Sequence, residues 1–163
     1  MDFLLEKEVS FMLYYKQQGG KNMQQFRHSA RALVLTKEGR ILLIKRIKEG
    51  VDPYYVTPGG GIEENETSID AVKRELKEET GSLVSDISFL FHLDDVDMNN
   101  SVDFYICKEV SRGVPTGSEW ARSTEQNKYE LYEANISELS DLNLKPEITK
   151  KALIKAIKKR TFV

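Results

Sequence analysis

The chain has 163 residues, 40% hydrophobic and 31% charged, with a formal net charge of −2. That is apolar chain enough for one domain with a real core, and a charge balance with no overall pull toward nucleic acid or acidic membranes. The single cysteine, Cys107, excludes an intrachain disulfide and a cysteine zinc site, and no apolar run approaches a membrane span.

Residues 1–22 read as an N-terminal extension ahead of a domain covering 23–163. Leu4, Leu5, Val9, Met12 and Tyr15 fall on one helical face, although residues 11–15 also suit a strand, and Gln17-Gln18-Gly19-Gly20-Lys21-Asn22 reads as a linker. The expected role is a packing arm, or chain upstream of a native start at Met23; the alternative is a flap over the site or a homodimer contact. The first residues lack the basic region of a secretory signal, so the expected compartment is cytoplasmic.

Residues 30–35 and 41–46 read as a hairpin around Lys37-Glu38-Gly39-Arg40. A third strand at 53–57 feeds into Pro58-Gly59-Gly60-Gly61. Residues 88–93 and 102–110 form a further pair, 130–134 a last strand, and 137–142 a short helical turn. Pro146 suits the start of a C-terminal helix reaching about residue 160.

Between the glycines and the later strands lies the most informative stretch. Thr67 or Ser68 can cap a helix, Asp70 follows Thr67 at capping-box spacing, and Gly81 sits where a left-handed residue ends one. Ile69, Val72 and Leu76 define an expected buried stripe. At about 100° per residue, Glu75, Glu78 and Glu79 fall together beside it, with the small Ala71 among them. Such like-charge pairs cost roughly 0.2–0.5 kcal/mol each on an exposed helix, and they crowd the negative end of the macrodipole. A cation explains the arrangement. Three glycines in front let backbone approach a ligand closely, and all-oxygen ligation selects Mg²⁺ or Mn²⁺ over zinc.

Gly60, then Glu66, then Arg74-Glu75-Leu76-Lys77-Glu78-Glu79-Thr80-Gly81 resembles the Nudix box of the Nudix hydrolases, here residues 60–82. Every fixed glycine, glutamate and arginine of that pattern is present. Ser82 departs from it, because the family usually has an aliphatic residue there; Leu83 is expected to take over its packing. The resemblance implies an α/β fold, the Nudix-type α/β/α sandwich with a mixed sheet. It also implies divalent-metal-dependent hydrolysis of a phosphoanhydride in a nucleoside diphosphate-linked small molecule. Glu75, Glu78 and Glu79 match the metal-binding glutamates, one of them able to take the water's proton, and Gly59 the position whose carbonyl often joins them. Arg74 matches the bracing arginine, supported by Gly60 and with Glu66 as its partner. Many members use a further glutamate before the last strand as ligand or base; Glu125 has the better spacing and Glu119 is the rival.

Subfamily markers for ADP-ribose, dinucleoside polyphosphates and coenzyme A are missing, which leaves nucleoside triphosphates, oxidised ones included, ahead of nucleotide sugars. The alternative is a Nudix-fold module that senses a nucleotide without cutting it, and an isomerase relying on Cys107 is a third reading. No DNA-reading element is evident. His28 and His92 read as hydrogen-bonded or exposed histidines, and Asp94, Asp95 and Asp97 as turn chemistry. Trp120, Tyr54 and Tyr55 read as packing before base stacking, and the lysines of the last helix as a solvated face.

Overall fold

In the computed structural model the described residues are 26–96 and 98–161, so the expectations for residues 1–22 and Asp97 lie outside them. Among the described residues, seven strands and three α-helices follow in order: β1 Arg27–Leu35, β2 Ile41–Lys48, β3 Val51–Val56, β4 Gly59–Gly61, α1 Ser68–Thr80, β5 Ser82–Asp95, β6 Asn100–Arg112, α2 Ser118–Ala121, β7 Asn127–Ala134 and α3 Glu147–Thr161.

The sheet runs β3-β2-β1-β6-β5, with β4 added on β1 and β7 on β2. It is mixed: β1 runs parallel to β6 along its length, and every other pairing is antiparallel. β1 and β2 share only the corner pairs Val34↔Leu42 and Leu35↔Ile41. Beyond that corner the sheet forks into one arm with β4, β6 and β5 and another with β3 and β7.

Period-two alternation divides the apolar residues between two cores. Ala30, Ala32, Val34, Leu42, Tyr105 and Cys107 meet Ala71, Val72 and Leu76 of α1 on one face. Leu33, Ile41, Leu43, Val102 and Phe104 meet Leu153 of α3 on the other. Helices therefore cover both faces, the sandwich the sequence predicts. Among the described residues no helix is long and apolar enough to cross a membrane.

Four local expectations change. Ile69 is 39% exposed, while Ala71 and Thr80 are buried. With Ala30, Ala32 and Ala71 at the contact, the helix is rolled toward its glutamate side and lies close on β1. Leu83 does not take over from Ser82: Ser82 is buried and donates to Glu109 Oε1 at 2.7 Å, whereas Leu83 is exposed. The glycines are a three-residue strand on β1 rather than a loop. The turn after β7 is a 3₁₀ helix, Ile136–Glu138.

Candidate active site

Helix α1 begins as its cap predicts: Thr67 Oγ1 accepts the Asp70 amide at 3.1 Å. It ends at Gly81 in the left-handed region, φ 72°, whose amide donates to Lys77 O at 3.0 Å. These two signals fix where the glutamates fall along the sheet.

The glycine strand lets charge approach from both sides. On the helix side, a Cβ on Gly60 would stand 2.4 Å from Glu75 Oε1. On the other side, a Cβ on Gly59 would stand 2.5 Å from Arg31 Cα, and one on Gly61 3.3 Å from Arg27 Nη2. Gly59 takes a φ of 134°, which side chains rarely adopt, and its amide donates to Glu79 Oε2 at 2.8 Å. Arg31 donates to Thr57 O at 2.5 Å behind the same strand.

Arg74 is the hub in front. Its Nε and Nη2 grip both oxygens of Glu66 at 2.8 and 2.9 Å, Nη1 donates to Glu75 Oε1 at 2.8 Å, and Nη2 also reaches Gly61 O at 2.9 Å. The grip holds Glu66 below the usual carboxylate range and Arg74 above its own ordinary value. Glu75, 15% exposed, is turned inward; Glu78, 44% exposed, faces out at 3.6 Å from Arg74 Nη1.

Glu79 is part-buried, and burial pushes its carboxyl up to about 7, against the Gly59 amide and Arg31 and with help from Glu75 and Glu119. Burial lowers Arg31 in turn, opposed by the charges of Glu79 and Glu75. As they stand the glutamates are engaged by protein donors, and among the described residues no three acidic, histidine or cysteine side chains form a ready metal cage. The donor set nonetheless fits a hard divalent cation: carboxylate oxygens over a side-chain-free strand, one of them at the cost of burying charge.

The connection from β6 to β7 closes on the end of α1. Thr116 and Gly117 amides donate to Glu78 O at 2.9 and 2.8 Å, and the Trp120 indole donates to Glu79 O at 2.8 Å. Glu119, on α2, is the loop glutamate whose charge reaches Glu79. Glu125 sits in the exposed turn between Thr124 and Asn127. Spacing ranks the two in the opposite order, because it cannot see that α2 folds back onto α1.

Beside the glutamates, β3, β2 and β7 line up Tyr54, Arg46 and Tyr129 as direct cross-strand neighbours. The Arg46 guanidinium lies 3.7 Å over the Tyr129 ring, and its Nε is the one buried side-chain polar atom left unpartnered among the described residues. Trp120 tilts against Tyr129 with centroids 6.0 Å apart. Tyr55 instead packs on Tyr132 in the α3-side core. Trp120 thus borders the end of α1 that carries Glu79, a rim position of the kind the sequence expects ahead of base stacking, and Tyr54 lies two strands from its Tyr129 contact.

A model of the NUDIX domain matches residues 25–153. The chain belongs to the Nudix family. Its box is therefore the strand, cap and helix just described. Curated relatives match over part of the chain: an RNA pyrophosphohydrolase of Bartonella henselae is 38% identical across 42% of this chain and 46% of its own length. An ADP-ribose pyrophosphatase of Methanocaldococcus jannaschii is 41% identical across 37% of each. The chain spans less than half the length of these relatives. Among solved structures, one of MutT studied from Aliivibrio salmonicida and Vibrio cholerae superposes with a TM-score of 0.62 at 20% identity, covering 82% of this chain and 98% of that one. A Nudix hydrolase from Nitrosomonas europaea gives 0.64 at 18%, covering 86% and 75%. At that identity the likeness is one of fold.

Outside the Nudix box, Arg31 is the residue that sequence reasoning passes over. Its signal was there: a cation flanked by Ala30 and Ala32 in the otherwise apolar run 30–35. The remaining candidates take the quieter roles. His92 is hydrogen-bonded, to Asp103 at 2.7 Å and Asp94 at 2.9 Å, and Asp95 accepts the Met98 amide in the turn. Burial pushes the Cys107 thiol up to about 12, which gives the isomerase reading no support.

Proposed function

We infer that this Nudix domain is a divalent-cation-dependent hydrolase, cutting a phosphoanhydride in a nucleoside diphosphate-linked molecule. Nucleoside triphosphates, oxidised ones included, are the first substrate class and nucleotide sugars the second. The observation that carries it is the placement of Glu75 and Glu79 over Gly59 and Gly60, where carboxylates gather on a side-chain-free strand and a bound cation would offset the cost of burying their charge. Relatives named RNA pyrophosphohydrolase and ADP-ribose pyrophosphatase are in keeping with anhydride chemistry.

Glu75, Glu78, Glu79 and the Gly59 carbonyl would hold Mg²⁺ or Mn²⁺. Bound there, such an ion screens the polyphosphate and lowers the pKa of a coordinated water. Arg74 holds the Glu75 carboxylate in place, and Glu66 holds Arg74. Glu119 takes the place of Glu125 as the additional carboxylate, since its charge reaches Glu79. The Tyr54–Arg46–Tyr129 row offers a stacking surface for the nucleoside side of the substrate. All the box glutamates are present, which sets aside the alternative of a module that binds without cutting.

The test is a panel of nucleotides with Mg²⁺ or Mn²⁺, read by released phosphate or pyrophosphate. Turnover should vanish with chelator and fall at least about a thousandfold in Glu78→Gln, as loss of an essential catalytic group does, with the fold kept. Near-wild-type turnover in that variant, or none on any nucleotide, overturns the reading. Glu119→Gln should cost more than Glu125→Gln; the reverse restores the order that spacing sets.

A further inference from the structure

The last carbonyls of a helix have no partner within it. At the end of α1, the bonds to Glu78 O and Gly81 O come from backbone amides, of Thr116, Gly117 and Gly113. The bond to Glu79 O is different, because it depends on one side chain, the indole N–H of Trp120.

Trp120 neighbours Glu119 on α2, a single turn with no side-chain cap. Anchored at its N–H and tilted against Tyr129, the indole fixes the orientation of that turn. Glu119 folds its carboxylate back: Oε2 lies 3.0 Å from where a Cβ on Gly117 would stand, a point 3.1 Å from Glu78 O. A Cβ there would push the carboxylate aside by a few tenths of an ångström. The carboxylate is thereby directed at the end of α1 that carries Glu78 and Glu79.

We propose that Trp120 is a positioning residue: held by the Glu79 carbonyl, its indole fixes α2 so that the Glu119 carboxylate stands beside the box glutamates. Through its contact with Tyr129, the same side chain ties the Tyr54–Arg46–Tyr129 row to the cleavage centre. The inference rests on the hydrolase reading above.

Trp120→Phe keeps a ring and removes the N–H. In the full chain with Mg²⁺ and the best substrate of the panel, kcat should fall about tenfold, the worth of one such hydrogen bond, with KM within about twofold. In a Glu119→Gln background the same change should cost less than about twofold, because the carboxylate it positions is gone. A packing role would cost as much in either background. Gly117→Ala is the second variant. Its backbone suits alanine, φ −64°, yet the new Cβ crowds Glu119, so it should lower kcat and show the same non-additivity. Wild-type kcat in Trp120→Phe, or an equal cost with and without Glu119, overturns the inference alone, provided Glu78→Gln is inactive. Full turnover in Glu78→Gln sinks the hydrolase reading and this inference together.

Discussion

Glu79 is the residue where structure and chemistry conflict most. The proposed cation site uses it as a carboxylate, yet burial favours its acid form, at about 7. An unfolded glutamic acid titrates near ~4.3, so the native state binds this proton more tightly. The stability contributed by protonated Glu79 is full below the unfolded value and is lost as pH rises through about 7. The melting temperature of metal-free protein should therefore fall between about pH 5 and pH 8, and Glu79→Gln should flatten that fall. Adding Mg²⁺ at the alkaline end should restore stability by mass action. Thermal melts in chelator and in Mg²⁺ decide it; a flat metal-free profile in the wild type contradicts the burial argument. Arg74 shows the opposite case, since all of its strong partners are acidic or carbonyl oxygens and each favours the charged form it already has.

At the scale of elements, α1 depends on its ends. Thr67 starts the helix and Gly81 stops it, so the glutamates fall at one fixed distance from the glycine strand. Gly81 is doubly constrained: its φ is 72°, and a Cβ would stand 2.3 Å from Gly113 O. Gly81→Ala combines a left-handed alanine with a backbone clash, and should destabilise by about 2–4 kcal/mol. Urea denaturation measures this; a loss under about 1 kcal/mol would mean that the β6–β7 connection shifts freely. Ser82, just beyond, shows how a departure from a family pattern is absorbed. Burial works against ionised Glu109, but bonds from Arg112 and Ser82 outweigh it and leave the carboxyl below its usual range. The position is therefore polar and satisfied, and Leu83 is free to face solvent.

For the whole molecule, the fork of the sheet is what makes a site. One arm carries β4 and supports α1; the other turns away and presents Tyr54, Arg46 and Tyr129. The β6–β7 connection joins the two by bonding to α1 before it enters β7. Both cores are complete from β1 onward, with α1 on one side and α3 on the other. Deleting residues 1–22 should accordingly leave a soluble protein with metal-dependent turnover. Sedimentation of both forms, with the activity assay, reads the outcome. A dimer that becomes a monomer on truncation assigns assembly to the arm, and an insoluble or inactive product makes the arm part of the fold.

The sequence by itself determined the motif helix, its caps, the middles of the longer strands and the grouping of the glutamates along one side of the helix, because those depend on local spacing and backbone propensity. Gly60, Glu66 and Arg74 were legible for the same reason: they belong to one contiguous pattern, and the structure joins them as Arg74 to Glu66 and Glu75 against Gly60. Only the tertiary structure decided the rest. That Ile69 is exposed and Ala71 buried depends on how far α1 rolls onto the alanines of β1. That the charge of Glu119, rather than that of Glu125, reaches Glu79 depends on α2 bonding to a carbonyl some forty residues back in the chain. Arg31 faces Gly59 through a strand pairing, and the Tyr54–Arg46–Tyr129 row exists only in the register of three strands. Spacing along the chain carries no information about which elements come to lie side by side, and those contacts gather this site.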